Sequence, residues 1–489
     1  MTAESWLLPL SERPWTRGNL VTPLLHGATY FARLVEVVSA TEAGDLVWFT
    51  DWRGDADELL LPEGPTVAEL FASAAGRGVD VRALIWRSHS DKTSFSAQEN
   101  QRLGRAVNDA GGVALLDQRV RRGGSHHQKL VVVRHRDRPE DDVAFVGGID
   151  LCHSRRDDAQ HGGDRQRQPM DERYGATPPW HDAMAEIRGP GVRDVQDSFA
   201  QRWDDRTPLD HRNPYRAALQ RRADMPRRAD PVPALSPPPP AAGPHVVQIL
   251  RTYAAKRPPF PFAPHGERTI ARAYERAFSC ARRLIYVEDQ YLWSDVVAST
   301  LAGALRREPR LQVIAVVPPF PDDDGRFTGP PNRLGQLSAM RLLHEAGGDR
   351  VGIFDLRNAR GVPVYVHAKV CIVDDTWMTI GSDNFNRRSW THDSELTCAV
   401  LDSDGELPRR LRSQLWAEHL GLAANDHRLR SIDDPLALWH ERVGADTSHI
   451  AVHTLEPVGR AARLWATPLY RTVYDPDGRP LSLRRRDAF

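Results

Sequence analysis

Apolar residues recur along this chain at two alternating spacings. Phe31, Leu34, Val35 and Val38 lie one helical turn apart within residues 28–40. LVWFTDW, beginning at Leu46, is an apolar run of strand length. Residues 68–77 predict a second helix and VDVRALIW (79–86) a second strand. After a further helical stretch, GGVALLD (111–117) predicts a third strand, and a basic loop leads into SHHQKLVVV. Helices and strands alternating in this way predict an α/β fold, in which a largely buried mixed sheet is flanked by helices.

At residues 225–244 the composition changes to MPRRADPVPALSPPPPAAGP, a proline-rich connector expected to be extended and semi-rigid. It divides the chain into a first half (1–224), a linker (225–244) and a second half (245–425). Residues 426–489 are expected to form a helical extension with a basic tail. Beyond the linker the order of elements repeats: a helix at 269–282, strands in RLIYVEDQYL and LQVIAVVP, a helix near 337–345, then VGIFDL and VYVHAKVCIV. Polar landmarks repeat with it. Asp51 precedes His127 by 76 residues and Asp289 precedes His367 by 78. Asp117 precedes His127 by 10, and Asp355 precedes His367 by 12. Periodicity alone would match strands and seldom also polar residues, so the chain reads as an internal duplication.

The stretch 366–395, VHAKVCIVDDTWMTIGSDNFNRRSWTHDSE, concentrates chemistry. In extended backbone residues i and i+2 share a face, so His367 and Lys369 stand together while Ala368 and Val370 turn away. Asp374 has the opposite parity and is expected at the strand end, holding the turn that follows. Gly381, Ser382 and Asn384 lie in a turn, and Glu395 opens another apolar strand. The first half carries its own pair, His127 and Lys129, and its own turn from Gly147 through Gly148 to Asp150. Asp182 enters WHDAMAEI as Glu395 enters SELTCAV, which supplies one carboxylate for each histidine. Arg134 replaces the counterpart of Asp374; Asp137 or Asp142 is a candidate substitute for it at the turn.

Composition adds exclusions. Lys plus Arg and Asp plus Glu both number 65 in 489 residues, so no net charge argues for a polyanionic partner, and no nucleic acid is expected. Four cysteines without a CxxC spacing read as reduced, buried thiols. Without a secretory leader or an apolar run of about twenty residues, the expected location is cytoplasmic, with peripheral contact to a membrane left open.

Two H-x-K motifs, one with the full H-x-K-x4-D and GSxNF continuation, together with FVGGIDL, WHDAMAEIRGP and YVEDQYL, resemble the phospholipase D superfamily and, within it, the phospholipase branch. The resemblance runs from about Leu46 to Leu420. It implies two similar halves packed as a pseudo-dimer and a monomeric phosphodiesterase acting on phospholipid, with transient membrane contact, no cofactor and no metal. Such exchange needs an in-line nucleophile, a proton donor on the leaving oxygen and positive charge on the non-bridging oxygens. By resemblance His127 is the nucleophile forming a phosphohistidine, and His367 the acid that protonates the departing alcohol and then acts as base. Lys129 and Lys369 bind phosphoryl oxygens with Asn384 and Ser382, and Asp182 and Glu395 each accept a proton from one imidazole. The resemblance also counts Asp374 with the motif and places Gly148 and Asp150 beside the substrate. A carboxylate at Asp150 needs a cationic partner there and suits orienting a lysine.

Competing readings are a nuclease or a cardiolipin-synthase-like phosphatidyltransferase on the same scaffold, and an inactive phospholipid-binding protein, motivated by Arg134. If Arg134 merely marks a degenerate turn, Arg134→Asp should leave activity equal or higher. His126, His135, His153 and His161, with Cys152, fit no familiar zinc spacing and read as solvated loop residues. Arg119, Arg121 and Arg122 read as a hydrated loop. Phe260, Phe262, Trp6, Leu7 and Leu8 are expected to pack beneath their own loops.

Overall fold

The alternating runs form two copies of one sheet pattern in a computed structural model, which describes residues 3–11, 13–87, 97–209, 218, 225–322, 328–486 and 488–489. The predicted end of the first half, at 224, lies outside the described residues. The first half contains β1 (Thr16–Leu25), β2 (Leu46–Asp51), β3 (Asp80–Trp86), β4 (Val113–Asp117), β5 (Leu130–Arg134), β6 (Val143–Gly147), β7 (Trp180–His181) and β8 (Ala183–Arg188). The second contains β9 (His245–Tyr253), β10 (Glu267–Arg268), β11 (Leu284–Glu288), β12 (Gln312–Val316), β13 (Val351–Arg357), β14 (Pro363–Val366), β15 (Val370–Val373), β16 (Trp377–Gly381), β17 (Glu395–Leu401) and β18 (Ile450–Val452).

Strands β2, β3 and β4 pair in parallel, and β5, β6 and β8 follow antiparallel on the other side of β2. Strands β11, β12 and β13 pair in parallel, with β15, β16 and β17 antiparallel beyond β11. The duplication is therefore a duplication of topology. Strand β1 joins the copies: residues 20–25 pair with β8, while Thr16 and Asn19 pair with β9. The register shifts between Thr16 and Asn19, and Gly18 takes a positive φ of 84° at that irregularity, a conformation glycine adopts without strain.

Alternation along β2 shows why these sheets are nearly all apolar. Val47 and Phe49 pack against the helices Gly27–Ser39 and Val67–Gly76, whereas Trp48 between them enters a core shared by both halves. Both faces are buried, so both parities must be apolar. The helix Val67–Gly76 starts at a capping box, in which Thr66 Oγ1 accepts from the Glu69 amide and Glu69 Oε2 accepts from the Thr66 amide. An equivalent helical layer, Thr269–Cys280, Asp295–Arg307 and Gly329–Gly347, covers the second sheet. Leu7, Leu8 and Phe260 are buried, and Phe260 and Phe262 pack on Tyr253.

Residues 225–244 run without regular structure along the first half. Their carbonyls accept from arginines: Asp230 and Pro231 from Arg82, Ser236 from Arg193, and Pro237 from Arg134. Residues 426–489 are not wholly helical, because β18 adds an antiparallel edge to β13. Among the described residues no helix is long and apolar enough to cross a membrane.

Three readings need correction. Arg134 is a buried hub: Nε donates to Asp142 (2.6 Å), Nη1 to Gln196 (2.6 Å) and Nη2 to Pro237 O (2.6 Å). It is not the vestige of a degenerate turn. The tie made by Asp374, which accepts from the amides of Arg282, Arg283 and Leu284, is supplied in the first half from the opposite side. There Asp45, before β2, accepts from the amides of Glu42 and Arg136. Nor are the four histidines read as solvated loop residues so as a group: His126, His135 and His161 are buried, and His153 is partly exposed. Arg119 is likewise buried on Asp117 rather than hydrated.

Candidate active site

Both H-x-K segments fall just outside regular strands, because each pairs with the other half. His367 and Lys369 occupy the three-residue link between β14 and β15; His127 and Lys129 immediately precede β5. The His127 amide donates to Ser394 O (2.9 Å), and the amides of His367 and Ala368 donate to His181 O (2.8 and 3.1 Å). Ser394 and His181 directly precede Glu395 and Asp182.

This main-chain pairing delivers each carboxylate to the opposite histidine. His127 Nδ1 lies 2.9 Å from Glu395 Oε2, and His367 Nδ1 lies 2.6 Å from Asp182 Oδ2. Neither half is complete alone. Both Nδ1 atoms are occupied, so each imidazole keeps Nε2 for a ligand. Each lysine donates back to the carbonyl of its own histidine, Lys129 Nζ to His127 O at 3.0 Å and Lys369 Nζ to His367 O.

The two turns differ around the carboxylates. Ser382 Oγ donates to Glu395 Oε2 (2.5 Å) and accepts from the Leu396 amide. At the equivalent Gly148 a Cβ would lie 2.2 Å from Asp182 Oδ1, so glycine is required for that carboxylate to sit where it does. Asp150 lies 3.3 Å from Lys129 Nζ and 3.6 Å from an Arg155 nitrogen. The counterpart Asn384 is nearly buried and its Oδ1 has no hydrogen-bond partner among the described residues. Asp51 Oδ2 accepts from the Leu151 amide and Asp289 Oδ1 from the Phe385 amide, at equivalent points one residue beyond Asp150 and Asn384. Two of the four landmark aspartates of the sequence, Asp51 and Asp289, thus pin the turns. Asp374 is committed to its three backbone amides and does not join these groups.

Electrostatics link the halves. Burial, then Lys129 and Lys369, push His127 well below its usual range; burial, then Lys369, Arg155 and Lys129, do the same to His367. Each lysine therefore acts on both imidazoles, as groups of one site do. Burial, then the neighbouring Asp393, push Glu395 up to about 8. Burial would raise Asp150, but Lys129 and Arg155 outweigh it and hold it below the carboxylate range. Both imidazoles are therefore neutral until an anion enters, which suits one for nucleophilic attack. A bound phosphodiester anion would raise both, so that one imidazole can take up a proton from solvent and serve as the acid.

Arg155 and Trp180 were not legible as site residues. The guanidinium carbon of Arg155 sits 3.8 Å from the Trp180 ring centroid, and that ring is 5.0 Å from His367. Arg155 lies in a polar insertion with no periodicity, so only its charge marked it.

Burial also pushes Lys369 down to about 8. Lowering means that the ammonium is present below that pH and lost above it. The kcat/KM of a phosphodiester substrate is expected to fall above pH about 8, since free enzyme then lacks a cation for the phosphoryl oxygens. Lys369→Arg should remove this limb while lowering the rate through altered geometry. An unchanged limb in that variant would show that another group titrates.

Fold and site together define a duplicated α/β protein with one paired-histidine centre built from both halves. Residues 40–297 match the family model Phospholipase D, and residues 330–417 match Cardiolipin synthase, PLD-like domain. The chain belongs to the phospholipase D superfamily. It is 26% identical over 523 residues to phospholipase D alpha 1 of Zea mays, covering 78% of this chain and 62% of that protein. It is 26% identical over 371 residues to phospholipase D A of Dictyostelium discoideum, covering 61% of this chain and 27% of that one. It thus spans less than two thirds of the length of these relatives. Its fold resembles that of the phosphatidylserine synthase of Haemophilus influenzae, with a TM-score of 0.55 at 15% identity over 93% of this chain and 94% of that one.

Proposed function

We propose that this protein is a phospholipase D-type phosphodiesterase that cleaves glycerophospholipids at the head-group phosphate and passes the phosphatidyl group to water or to an alcohol. The observation that carries this reading is the crossed pairing, which occupies Nδ1 of His127 and of His367 with carboxylates and leaves both Nε2 atoms for substrate, with two buried lysines acting on both rings. His127 Nε2 attacks phosphorus, and His367 protonates the departing head-group oxygen. The phosphohistidine is then opened by water or alcohol, which His367 deprotonates. Lys129 and Lys369, with Ser382 and Asn384 nearby, balance charge on the non-bridging oxygens. Glu395 and Asp182 hold the tautomers.

The family match of residues 330–417 favours, as a second reading, a phosphatidyltransferase that prefers an alcohol acceptor. Both readings are tested by incubating the protein with phosphatidylcholine vesicles, with and without a primary alcohol, and measuring choline, phosphatidic acid and phosphatidyl-alcohol. Choline released with phosphatidic acid supports hydrolysis; release only with the alcohol supports the transferase. No turnover of any glycerophospholipid, with cleavage of an oligonucleotide, would establish the nuclease reading instead. No turnover of any phosphodiester would leave a binding protein.

A further inference from the structure

Behind Asp182 lies a group of buried histidines that the proposed reaction does not use. His26, His161 and His181 are brought together by the chain entering the helix Gly27–Ser39, by the polar insertion and by β7. They surround Glu418, in the helix Glu406–Leu420 of the second half. His26 Nε2 is 2.9 Å from Glu418 Oε2; His161 Nε2 and His181 Nδ1 are 3.1 and 3.5 Å from Glu418 Oε1. We propose that His26 Nε2, His161 Nε2, His181 Nδ1 and the Glu418 carboxylate form a tetrahedral site for a zinc-type divalent cation.

Geometry favours a metal. Bonds of about 2.0–2.1 Å in a tetrahedron put donor atoms about 3.3 Å apart; His161 Nε2 and His181 Nδ1 lie 3.1 and 3.5 Å from Glu418 Oε1, and His26 Nε2 lies 2.9 Å from the other oxygen, Oε2. Imidazoles on such an ion have ring centres about 5 Å apart; the three ring pairs here lie at 5.1, 5.1 and 5.6 Å. His181 Nδ1 is fully buried and, among the described residues, makes no hydrogen bond, its nearest acceptor being Glu418 Oε1 at 3.5 Å. On its far side His181 Nε2 lies 2.8 Å from Glu288, itself held by Tyr286 and His419. A carboxylate on the non-ligating nitrogen is the usual support of a metal-bound histidine. His26 and His161 both adopt positive φ, 64° and 50°, a strained backbone for histidine that an ion would help to hold.

In a second grouping, His181, Glu288 and His419, the Glu288 carboxylate is hydrogen-bonded at 2.8 Å to Nε2 of both imidazoles, which leaves His181 Nδ1 to face Glu418. The ion would act by position. It would fix His181, whose carbonyl accepts from the His367 amide and whose neighbour Asp182 holds the His367 ring. It would also clamp the first half to a helix of the second.

The full-length protein, stripped with a chelator, would be reloaded with Zn²⁺ or Co²⁺ and its metal content measured by mass spectrometry. About one ion per chain is expected, with the visible absorption of tetrahedral Co²⁺. His161→Gln and Glu418→Gln should each lower metal affinity at least about tenfold, and Glu288→Gln about 10- to 100-fold. His127→Asn, outside the cluster, should retain the metal. Folded wild-type protein that takes up no stoichiometric Zn²⁺ or Co²⁺ would overturn the proposal and leave a cluster held by protons alone. Uptake unchanged in all three cluster variants would overturn it equally, by placing the ion elsewhere.

Discussion

Asparagine at either motif histidine is expected to reduce phosphodiester turnover about 10³-fold, within the range lost when a positioned proton-transfer group or nucleophile is removed. The two variants should then diverge. If His127 Nε2 attacks phosphorus, denaturing wild-type enzyme with detergent at alkaline pH during turnover of a phosphorus-labelled substrate should trap the phosphatidyl phosphorus on His127, since a histidine–phosphorus bond is lost in acid, and His127→Asn should trap none. His367→Asn should recover much of its rate on a diester with a nitrophenolate leaving group, because that oxygen departs without a proton. His127→Asn should not recover. Label found on His367, or equal rescue of both variants, would reverse the assigned roles. The crossed carboxylates extend the test: Glu395→Gln should mimic a defect at His127, and Asp182→Asn one at His367, although each lies in the half opposite to the histidine it serves.

Much of this architecture is written in short-range pattern. Strand runs such as VDVRALIW and VGIFDL appear in the structure within a residue or two as β3 and β13, since apolar residues at both parities have few alternatives to a sheet buried on both faces. The matched spacings of Asp51 and Asp289 from their histidines also reflect a physical tie, for each pins the turn after the glycine. Less legible was whatever depends on contact between the halves. No local signal says that Glu395 serves His127, that β5 begins after Lys129, or that His26, His161 and His181 converge on Glu418 from three separate segments. Those arrangements are set by how one half docks on the other, and no period or spacing encodes it.

Arg134 shows the same limit energetically and yields the second large prediction. Compared with Asp374 alone, it looked like a lost motif residue, and restoring aspartate looked harmless. In the structure the Arg134 guanidinium is almost entirely buried, 2.6 Å from Asp142, whose other oxygen accepts from the His135 amide. Arg134→Asp would remove the cation from a buried carboxylate, place a second carboxylate beside it and release Gln196 and the linker carbonyl of Pro237. Breaking a buried pair from one side costs about 3–5 kcal/mol, a large part of a typical domain's stability. Urea unfolding should therefore show a loss of that order, with activity falling alongside the folded fraction rather than rising. The reversal Arg134→Asp with Asp142→Arg should regain part of it if the ion pair is responsible. A loss no larger than the ~0.5 kcal/mol of an ordinary surface change would mean that this arginine is the inert relic its position in the motif suggested. The physical expectation is the reverse, because the aspartate's turn-tying task has passed to Asp45 and position 134 now fastens the linker to the first sheet.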